Sequence, residues 1–91
     1  MLLMVIEQFK DKHQVRVRFE NEGRMLPSGV VFLASWIDPT SQRCFQLMEV
    51  DGPEALNPWI AKWQDLVEFE VVPVLPSEEY WATCEPRPNE V

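Results

Sequence analysis

The chain has 91 residues, of which 46% are hydrophobic and 25% are charged. This composition is typical of one globular domain and excludes a chain that is disordered throughout. The formal net charge is −7, and the 8 Lys and Arg residues are spread along the chain, which argues against polyanionic partners such as nucleic acids and anionic lipid surfaces.

The first predicted element is a strand over residues 1–8. Its sequence, MLLMVIEQ, is apolar at both alternate sets of positions, which is typical of a strand that is buried on both faces near the centre of a sheet. The apolar run is short, lacks a basic leader and is ended by Glu7, so it fits neither a signal peptide nor a membrane span. We therefore expect a cytoplasmic protein.

Residues 14–26 fit two templates. Val15, Val17 and Phe19 alternate with charged residues as in a strand, whereas Val15, Phe19 and Leu26 follow a helical period. We predict a helix, because no hairpin turn joins this segment to the first strand and because Gly23 provides a helix end. An all-β fold is the alternative.

Residues 30–50, VVFLASWIDPTSQRCFQLMEV, predict a β-hairpin. Two extended apolar runs flank a short polar break, and Asp38 followed by Pro39 fits the first two positions of a type I turn. Plain alternation places Phe32 and Ala34 on one face of the first arm. The second arm, residues 43–50, is apolar at both alternations, which favours a central position in the sheet.

The clearest helical pattern follows the hairpin. Apolar residues recur at helical spacing at Leu56, Trp59, Ile60, Trp63, Leu66 and Val67. We predict that Asn57 is the N-cap and that Pro58 is the first helical residue, which leaves residues 53–56 as a separate turn.

A final strand is predicted over residues 68–75. Pro73 has no amide hydrogen for the β-ladder, so this strand belongs at an edge of the sheet. Residues 1–76 are then one domain, and residues 77–91 form a C-terminal arm outside it.

The arm is acidic and rich in proline. Ser77 is predicted to cap one short helical turn, while Pro86 and Pro88 prevent a longer helix. Tyr80 and Trp81 would be poorly placed in water on such an arm, so we expect them to dock on the same subunit or on a partner subunit.

The order of elements predicts an α+β fold, the ferredoxin-like split βαβ (βαββαβ) unit, with an antiparallel sheet of order 4-1-3-2 and two helices on one face. Apolar residues nevertheless occupy both faces of the sheet. Leaving ~600 Å² of apolar surface in water would forgo about 15 kcal/mol, comparable to the whole stability of a small domain. We therefore expect a homodimer that stacks two sheets through their helix-free faces.

Four stretches carry a resemblance to a known family: MLLMVIEQFK, GRMLPSGVVFLASWID, RCFQLMEVD and WIAKWQDLVEFEVVPV. Over residues 1–76 the chain resembles a small bacterial family known only as a domain of unknown function. The resemblance implies the dimeric α+β barrel superfamily, which is similar in fold to antibiotic-biosynthesis monooxygenases, EthD-like proteins and muconolactone isomerases. It implies no activity and no catalytic residues. Pro58 and the arm after Pro76 depart from the family pattern.

The candidate ligand-binding residues are Trp36, Gln46, Trp59 and Trp63. Trp59 and Trp63 are one helical turn apart and would face the sheet that carries Trp36, so the three rings could wall an aromatic pocket. Gln46 is an amide in an apolar strand, on the same face as Cys44, where it could orient a ligand carbonyl. The alternatives are core packing of the indoles and a bond from Gln46 to a neighbouring side chain.

The candidate catalytic residues are His13, Arg43 and Gln46. His13 is the single histidine, and an imidazole is the usual general base at neutral pH, although its charged neighbours indicate an exposed loop. Arg43 could stabilise an oxyanion, or it could pair with Asp38 at the other side of the hairpin turn.

Neither metal nor cofactor is expected. Cys44 and Cys84 match no metal spacing and no disulfide framework, so both are predicted to be reduced, with Cys44 a buried inert thiol. Three functions follow from these observations. The first is a homodimer that binds a small apolar or aromatic molecule between sheet and helices; the others are a cofactor-independent monooxygenase- or isomerase-type enzyme and an assembly module without a pocket.

Overall fold

The structure is a computed structural model that describes residues 1–84. In chain order it contains strand β1 (Leu2–Phe9), helix α1 (Lys12–Glu22), strands β2 (Val30–Asp38) and β3 (Arg43–Val50), a 3₁₀ turn (Pro53–Leu56), helix α2 (Asn57–Trp63), strand β4 (Val67–Val74) and helix α3 (Ser77–Ala82). The fold is therefore α+β. The 3₁₀ turn and α3 are additions to the predicted βαββαβ order of elements.

The four strands form one antiparallel sheet in the order β2-β3-β1-β4. The predicted central strands, β1 and β3, lie side by side in its middle, each paired with a strand on either side. Pro73 lies on the edge strand β4, which has no neighbouring strand on its outer side. An edge strand tolerates a proline because its outer side needs no amide hydrogen for a β-ladder. The predicted strand order and the predicted edge position are both confirmed.

One face of the sheet carries the hydrophobic core. Its fully buried residues come from alternate positions of β1, β3 and β4, from the end of the 3₁₀ turn and from α2: Leu3, Val5, Met48, Val50, Leu56, Trp59, Trp63 and Val67. We call this the helix face. The other alternation, which includes Met4, Ile6, Phe45 and Leu47, is only half-buried, and we call it the open face.

A β-bulge in β2 changes the predicted faces of that strand. Phe32 pairs with Met48, on the helix face, but Ala34 pairs with Leu47, on the open face, because the register shifts at the residue between them. The expectation that Phe32 and Ala34 share a face is therefore wrong. Every residue of β2 after the bulge lies on the face opposite to the one that plain alternation assigns.

The segment that fitted two templates is helical as far as Glu22, while residues 23–26 lie beyond the end of α1. The Asp11 side chain caps α1 by accepting a hydrogen bond from Gln14 N at 3.1 Å, and Gly23 ends the helix with its N–H bonded to Phe19 O at 2.8 Å. None of the eleven residues of α1, all of which the structure describes, is fully buried. The helix therefore lies above the sheet without filling the space beneath it.

Arg18 attaches α1 to the end of α2. Its guanidinium makes two hydrogen bonds to the Asp65 carboxylate, at 2.8 and 2.7 Å, and a third to Lys62 O at 2.8 Å. It also lies 5.4 Å from the centre of the Trp63 ring. A bidentate pair of this kind fixes both the position and the orientation of the guanidinium. Arg18 therefore ties α1 to the chain at the end of α2.

Two predicted helix caps are wrong. Leu56 occupies the N-cap position of α2 and Asn57 is already helical, because the 3₁₀ turn runs directly into the helix with Leu56 itself near helical geometry (φ −79°, ψ −15°). Likewise Ser77 is the first residue of α3, and the extended Pro76 precedes it. The predicted separate turn at Pro53–Leu56 and the short helical turn in the arm are both present; Pro86 and Pro88 lie outside the described residues.

Replacing Gly23 should weaken the fold through its backbone alone. Gly23 has φ 71° and ψ −162°, a region that side chains disfavour, while an added Cβ would meet no described atom within 4 Å. We expect Gly23→Ala to lower the free energy of unfolding by about 1 to 3 kcal/mol in urea denaturation. Asn21→Ala, two residues earlier in the exposed end of α1, is the matched control and should leave stability unchanged or slightly raised. Equal stability of both variants would contradict this account.

Candidate functional site

A cavity of about 520 Å³ lies between α1 and the helix face. It exists because α1 contributes no fully buried side chain in the described chain, so the sheet beneath it is not covered by core. Its walls include aromatic and aliphatic side chains from every neighbouring element: Phe9, Val15, Phe19, Ile37, Trp59, Trp63 and Val67. Polar and charged side chains also line it: Glu7, Lys12, Arg16, Arg24, Ser35, Asp38, Ser41, Gln42 and Gln46.

Three polar side chains form a hydrogen-bonded chain at the cavity. Gln46 Nε2 donates to Glu7 Oε2 at 2.9 Å, and Gln46 Oε1 accepts from Arg24 Nε at 2.9 Å. The two bonds determine the orientation of the amide, because the arginine can only donate and so must face the amide oxygen. Glu7 and Gln46 are each 5% exposed, so this polar chain lies within the protein and not on its surface.

Burial raises the pKa of Glu7 to about 7, from an ordinary value of 4.5. Removal of water from the carboxylate is the largest effect, and it exceeds the opposing effects of hydrogen bonds from Gln46 and Cys44 and of the positive charge of Arg24. The same burial, together with the negative charge of Glu7, raises the pKa of the Cys44 thiol to about 12. Near neutral pH the site thus holds a carboxyl close to half-ionised beside a protonated thiol.

Arg24 is positioned by the segment that follows α1. Its backbone carbonyl accepts hydrogen bonds from two indoles of α2, from Trp59 Nε1 at 2.9 Å and from Trp63 Nε1 at 3.1 Å. Gly23 before it has positive φ, and so does Met25 after it (φ 61°), an unusual conformation for a side-chain-bearing residue. Its guanidinium lies 3.9 Å from the centre of the Phe32 ring.

Three of the four predicted ligand-binding residues line the cavity. Gln46 lies at its base, while Trp59 and Trp63 form part of its wall. Trp36 does not, because the bulge in β2 places it beside Phe45 on the open face, where it is 54% exposed. The interpretation of three tryptophans around one pocket is therefore corrected to two.

His13 and Arg43 lie away from the cavity wall. His13 is exposed near the start of α1. Arg43 pairs with the Asp38 carboxylate at 3.4 Å and lies 5.3 Å from the centre of the Phe45 ring, on the open face. Of the three predicted catalytic residues, only Gln46 is placed where it can contact a molecule in the cavity.

Glu7 and Arg24 are the site residues that the sequence analysis missed. Glu7 follows Leu3 and Val5 on the same alternation of β1, so it is a carboxylate in an otherwise buried apolar series. That interruption could have indicated a site residue, because burying a carboxylate costs free energy and acids are rarely buried without a partner. Arg24 gives no comparable signal, since its position depends on the backbone around Gly23 and Met25.

Other kinds of site receive less support. Within residues 1–84, His, Cys, Asp and Glu side chains nowhere gather in a group of three that could hold a metal ion. Cys44 and Cys84 are both free thiols. Over the same residues, the structure has no helix with the length and apolar character needed to cross a membrane.

Comparison with protein families gives one match. The model of a family described as a domain of unknown function (DUF3303) matches residues 1–87, which is nearly the whole chain. Comparisons with curated proteins and with solved structures gave no match.

The buried Glu7 makes stability depend on pH near neutrality. A carboxyl whose pKa rises on folding binds its proton more tightly in the folded state, so stability is highest below about 4.5 and falls as the pH rises through about 7. From pH 5 to pH 8 we expect the wild-type free energy of unfolding to fall by about 2 to 3 kcal/mol because of Glu7. Glu7→Gln should remove this fall.

The measurement is urea denaturation of both proteins at several pH values. Glu70→Gln is the matched control, because it removes one carboxylate close to Glu7 but from an exposed position. Glu70 lies on β4 and pairs with Ile6, the residue before Glu7. This control should keep the wild-type pH dependence. A Glu7→Gln protein that loses stability over the same range as the wild type would show that Glu7 is not the responsible group.

Proposed function

We propose that this chain, which belongs to the family described as a domain of unknown function (DUF3303), is a homodimer that binds a small apolar or aromatic molecule between sheet and helices. The cavity between α1 and the helix face is the observation that carries this proposal. Trp59, Trp63 and Gln46 are its proposed ligand-binding residues, together with Glu7 and Arg24.

The dimensions and lining of the cavity support ligand binding. Pockets for small molecules typically measure ~300 to 1,000 Å³ and combine apolar walls with a few polar groups. The cavity here measures about 520 Å³ and has aromatic walls, with Gln46 and Glu7 at its base. This argues for a binding protein over an assembly module without a pocket. A ligand would contact the indoles with its ring and the amide with a carbonyl or hydroxyl group.

The proposed assembly is the ferredoxin-like dimeric α+β barrel. The strand order β2-β3-β1-β4 and the position of the core on one face support the ferredoxin-like assignment, with α3 as an addition. The open face supports the dimer: Val31 and Trp36 on it are 56% and 54% exposed, and Met4, Ile6 and Leu47 are half-buried. Four strands of this length span on the order of 500 Å² in flat projection. This is below the ~800 Å² of accessible surface that each partner of a stable dimer buries, although it is of the same order, and the relief of the side chains adds to it.

The C-terminal arm is proposed as a second point of contact between subunits. Tyr80 and Trp81 are 49% and 59% exposed on α3, and their rings pack against each other with centres 5.1 Å apart. Residues 77–91 would then belong to the dimer and residues 1–76 to the domain itself. Free thiols at Cys44 and Cys84 suit the reducing cytoplasm, where we place the protein.

Filling the cavity should weaken ligand binding. Ser35 lines the cavity opposite Gln46, and Ser35→Phe places a ring where the ligand would lie. We expect aromatic acids, phenols and quinones to quench the fluorescence of Trp59 and Trp63, and Ser35→Phe to weaken the best of these ligands by about tenfold or more, ~1.4 kcal/mol. Ser28→Phe, in an exposed turn, is the matched control and should bind normally. Equal affinities of the two variants would place the ligand elsewhere.

A charge on the open face should separate the subunits. Trp36→Lys would bury an unpaired ammonium between two stacked sheets, which costs several kcal/mol. In sedimentation at micromolar concentration we expect two chains per particle for the wild type and one for Trp36→Lys. The matched control is Ile37→Lys, the next residue of β2, which is 62% exposed on the opposite face and should stay dimeric. A monomeric wild type would contradict the proposed assembly.

A further inference from the structure

The structural role of Glu7, to accept a hydrogen bond from Gln46 Nε2, does not require a charge, because a neutral amide could accept the same bond. It continues the alternation of Leu3 and Val5 on the helix face and is 5% exposed. Among residues 1–84 no cation contacts its carboxylate directly, because Arg24 reaches it only through Gln46. A buried carboxylate without a direct ion pair lowers stability relative to a well-packed leucine. Such a group is typical of a site that uses its chemistry.

The polar chain places a base and a cation on the same cavity. Gln46 holds Glu7 from one side through Nε2, and Cys44 is the residue that pairs with Glu7 across β1 and β3. Arg24 uses Nε for Gln46, and its guanidinium also lines the cavity above Phe32. A ligand that contacts the base of the cavity therefore meets a proton acceptor on one side and a fixed positive charge on the other.

The geometry points to Glu7 as a catalytic general base that moves a proton on a carbon next to the carbonyl group of an apolar ketone bound in the cavity. This inference rests on the proposed function, because it requires a ligand in the same place. Arg24 and the second amide hydrogen of Gln46 are the groups that would contact the carbonyl oxygen.

The step balances without any co-reactant. The Glu7 carboxylate accepts the proton from the α carbon, the C–H electron pair becomes the carbon–carbon double bond, and the carbonyl π pair moves onto oxygen to give an enolate. The positive charge of Arg24 stabilises that oxygen. The proton on the Glu7 carboxyl then exchanges with solvent, and the carboxyl delivers a solvent-derived proton to the same carbon, which replaces the α hydrogen. Alternatively the carboxyl delivers its proton to a carbon further along a conjugated system, which isomerises the ketone.

Other residues at the cavity suit this role less well. The Cys44 thiol stays protonated because burial raises its pKa to about 12, so it does not serve as a nucleophile. The β4 residues beside Glu7 and the α2 residues above it are apolar or aromatic: Val67, Phe69, Trp59 and Trp63. The charged groups that face Glu7 are therefore Arg24 and, across the cavity, Lys12, Arg16 and Asp38.

The raised pKa of Glu7, about 7, suits a base that works near neutral pH. A general base is most effective when its pKa lies near the working pH, since it is then both ionised and basic enough to remove the proton. Activity should accordingly rise with pH through about 7 and level off above it.

The test uses 2-tetralone, a bicyclic aromatic ketone with acidic α protons, in deuterated buffer. Proton NMR follows loss of the α-proton signal, and tryptophan fluorescence follows binding. We expect the wild type to accelerate deuterium incorporation above the buffer rate, and Glu7→Gln to bind 2-tetralone but to exchange it about 100- to 10,000-fold more slowly. Glu7→Asp, with a shorter carboxylate, should restore part of the rate.

The control and the contrary results separate this inference from the proposed function. Glu70→Gln, a substitution on the open face, is the control. This variant should catalyse deuterium exchange of 2-tetralone at the wild-type rate and with the wild-type pH profile. Binding of 2-tetralone with exchange that is unchanged by Glu7→Gln, or that does not exceed the buffer rate, overturns the role of Glu7 and leaves the binding function intact. Failure of the wild type to bind 2-tetralone and every other aromatic ligand overturns the binding function, and the inference with it.

Discussion

The burial of the Glu7 carboxyl on β1 decides how the polar parts of this fold are arranged. An acid at a core position of a central strand requires a hydrogen-bond donor within the protein, and Gln46 of the neighbouring strand β3 supplies it. Gln46 can face Glu7 with its amide nitrogen because Arg24 donates to its oxygen. Glu7, Gln46 and Arg24, from three segments far apart in sequence, thus meet at one point. An apolar substitution of any one of them would leave a hydrogen-bonding group of its neighbour unpaired.

The cavity beside this network follows from how α1 is attached. Arg18 holds the helix to Asp65 and Lys62 near the end of α2, and none of the side chains of α1, within the described chain, is fully buried against the sheet. The core is instead built by α2 and the 3₁₀ turn, with Trp59 and Leu56 fully enclosed. The sheet is consequently covered tightly under α2 and loosely under α1, and the loose part contains Glu7.

Sequence patterns predicted the sheet better than the site. Apolar residues at both alternations identified β1 and β3 as central, and Pro73 identified an edge, since burial and the missing amide act locally. The face of Trp36 could not be predicted, because the bulge after Phe32 depends on how β2 pairs with β3 and not on any residue that disfavours regular pairing. Gln46 was recognised as an amide in an apolar strand. Arg24 was not recognised, because two tryptophan indoles and two left-handed residues position it, and all of these are tertiary features.

The central claim is that Glu7 is held in an apolar site from which its proton leaves only near neutral pH. Carbon-13 NMR of the glutamate side-chain carboxyls, with the Glu7 resonance assigned by its absence in Glu7→Gln, measures this directly. The structure predicts a titration midpoint of about 7 for Glu7. A midpoint near the ordinary value of 4.5 would mean that water reaches the carboxylate freely, and it would contradict both the burial of Glu7 and the chemistry assigned to it.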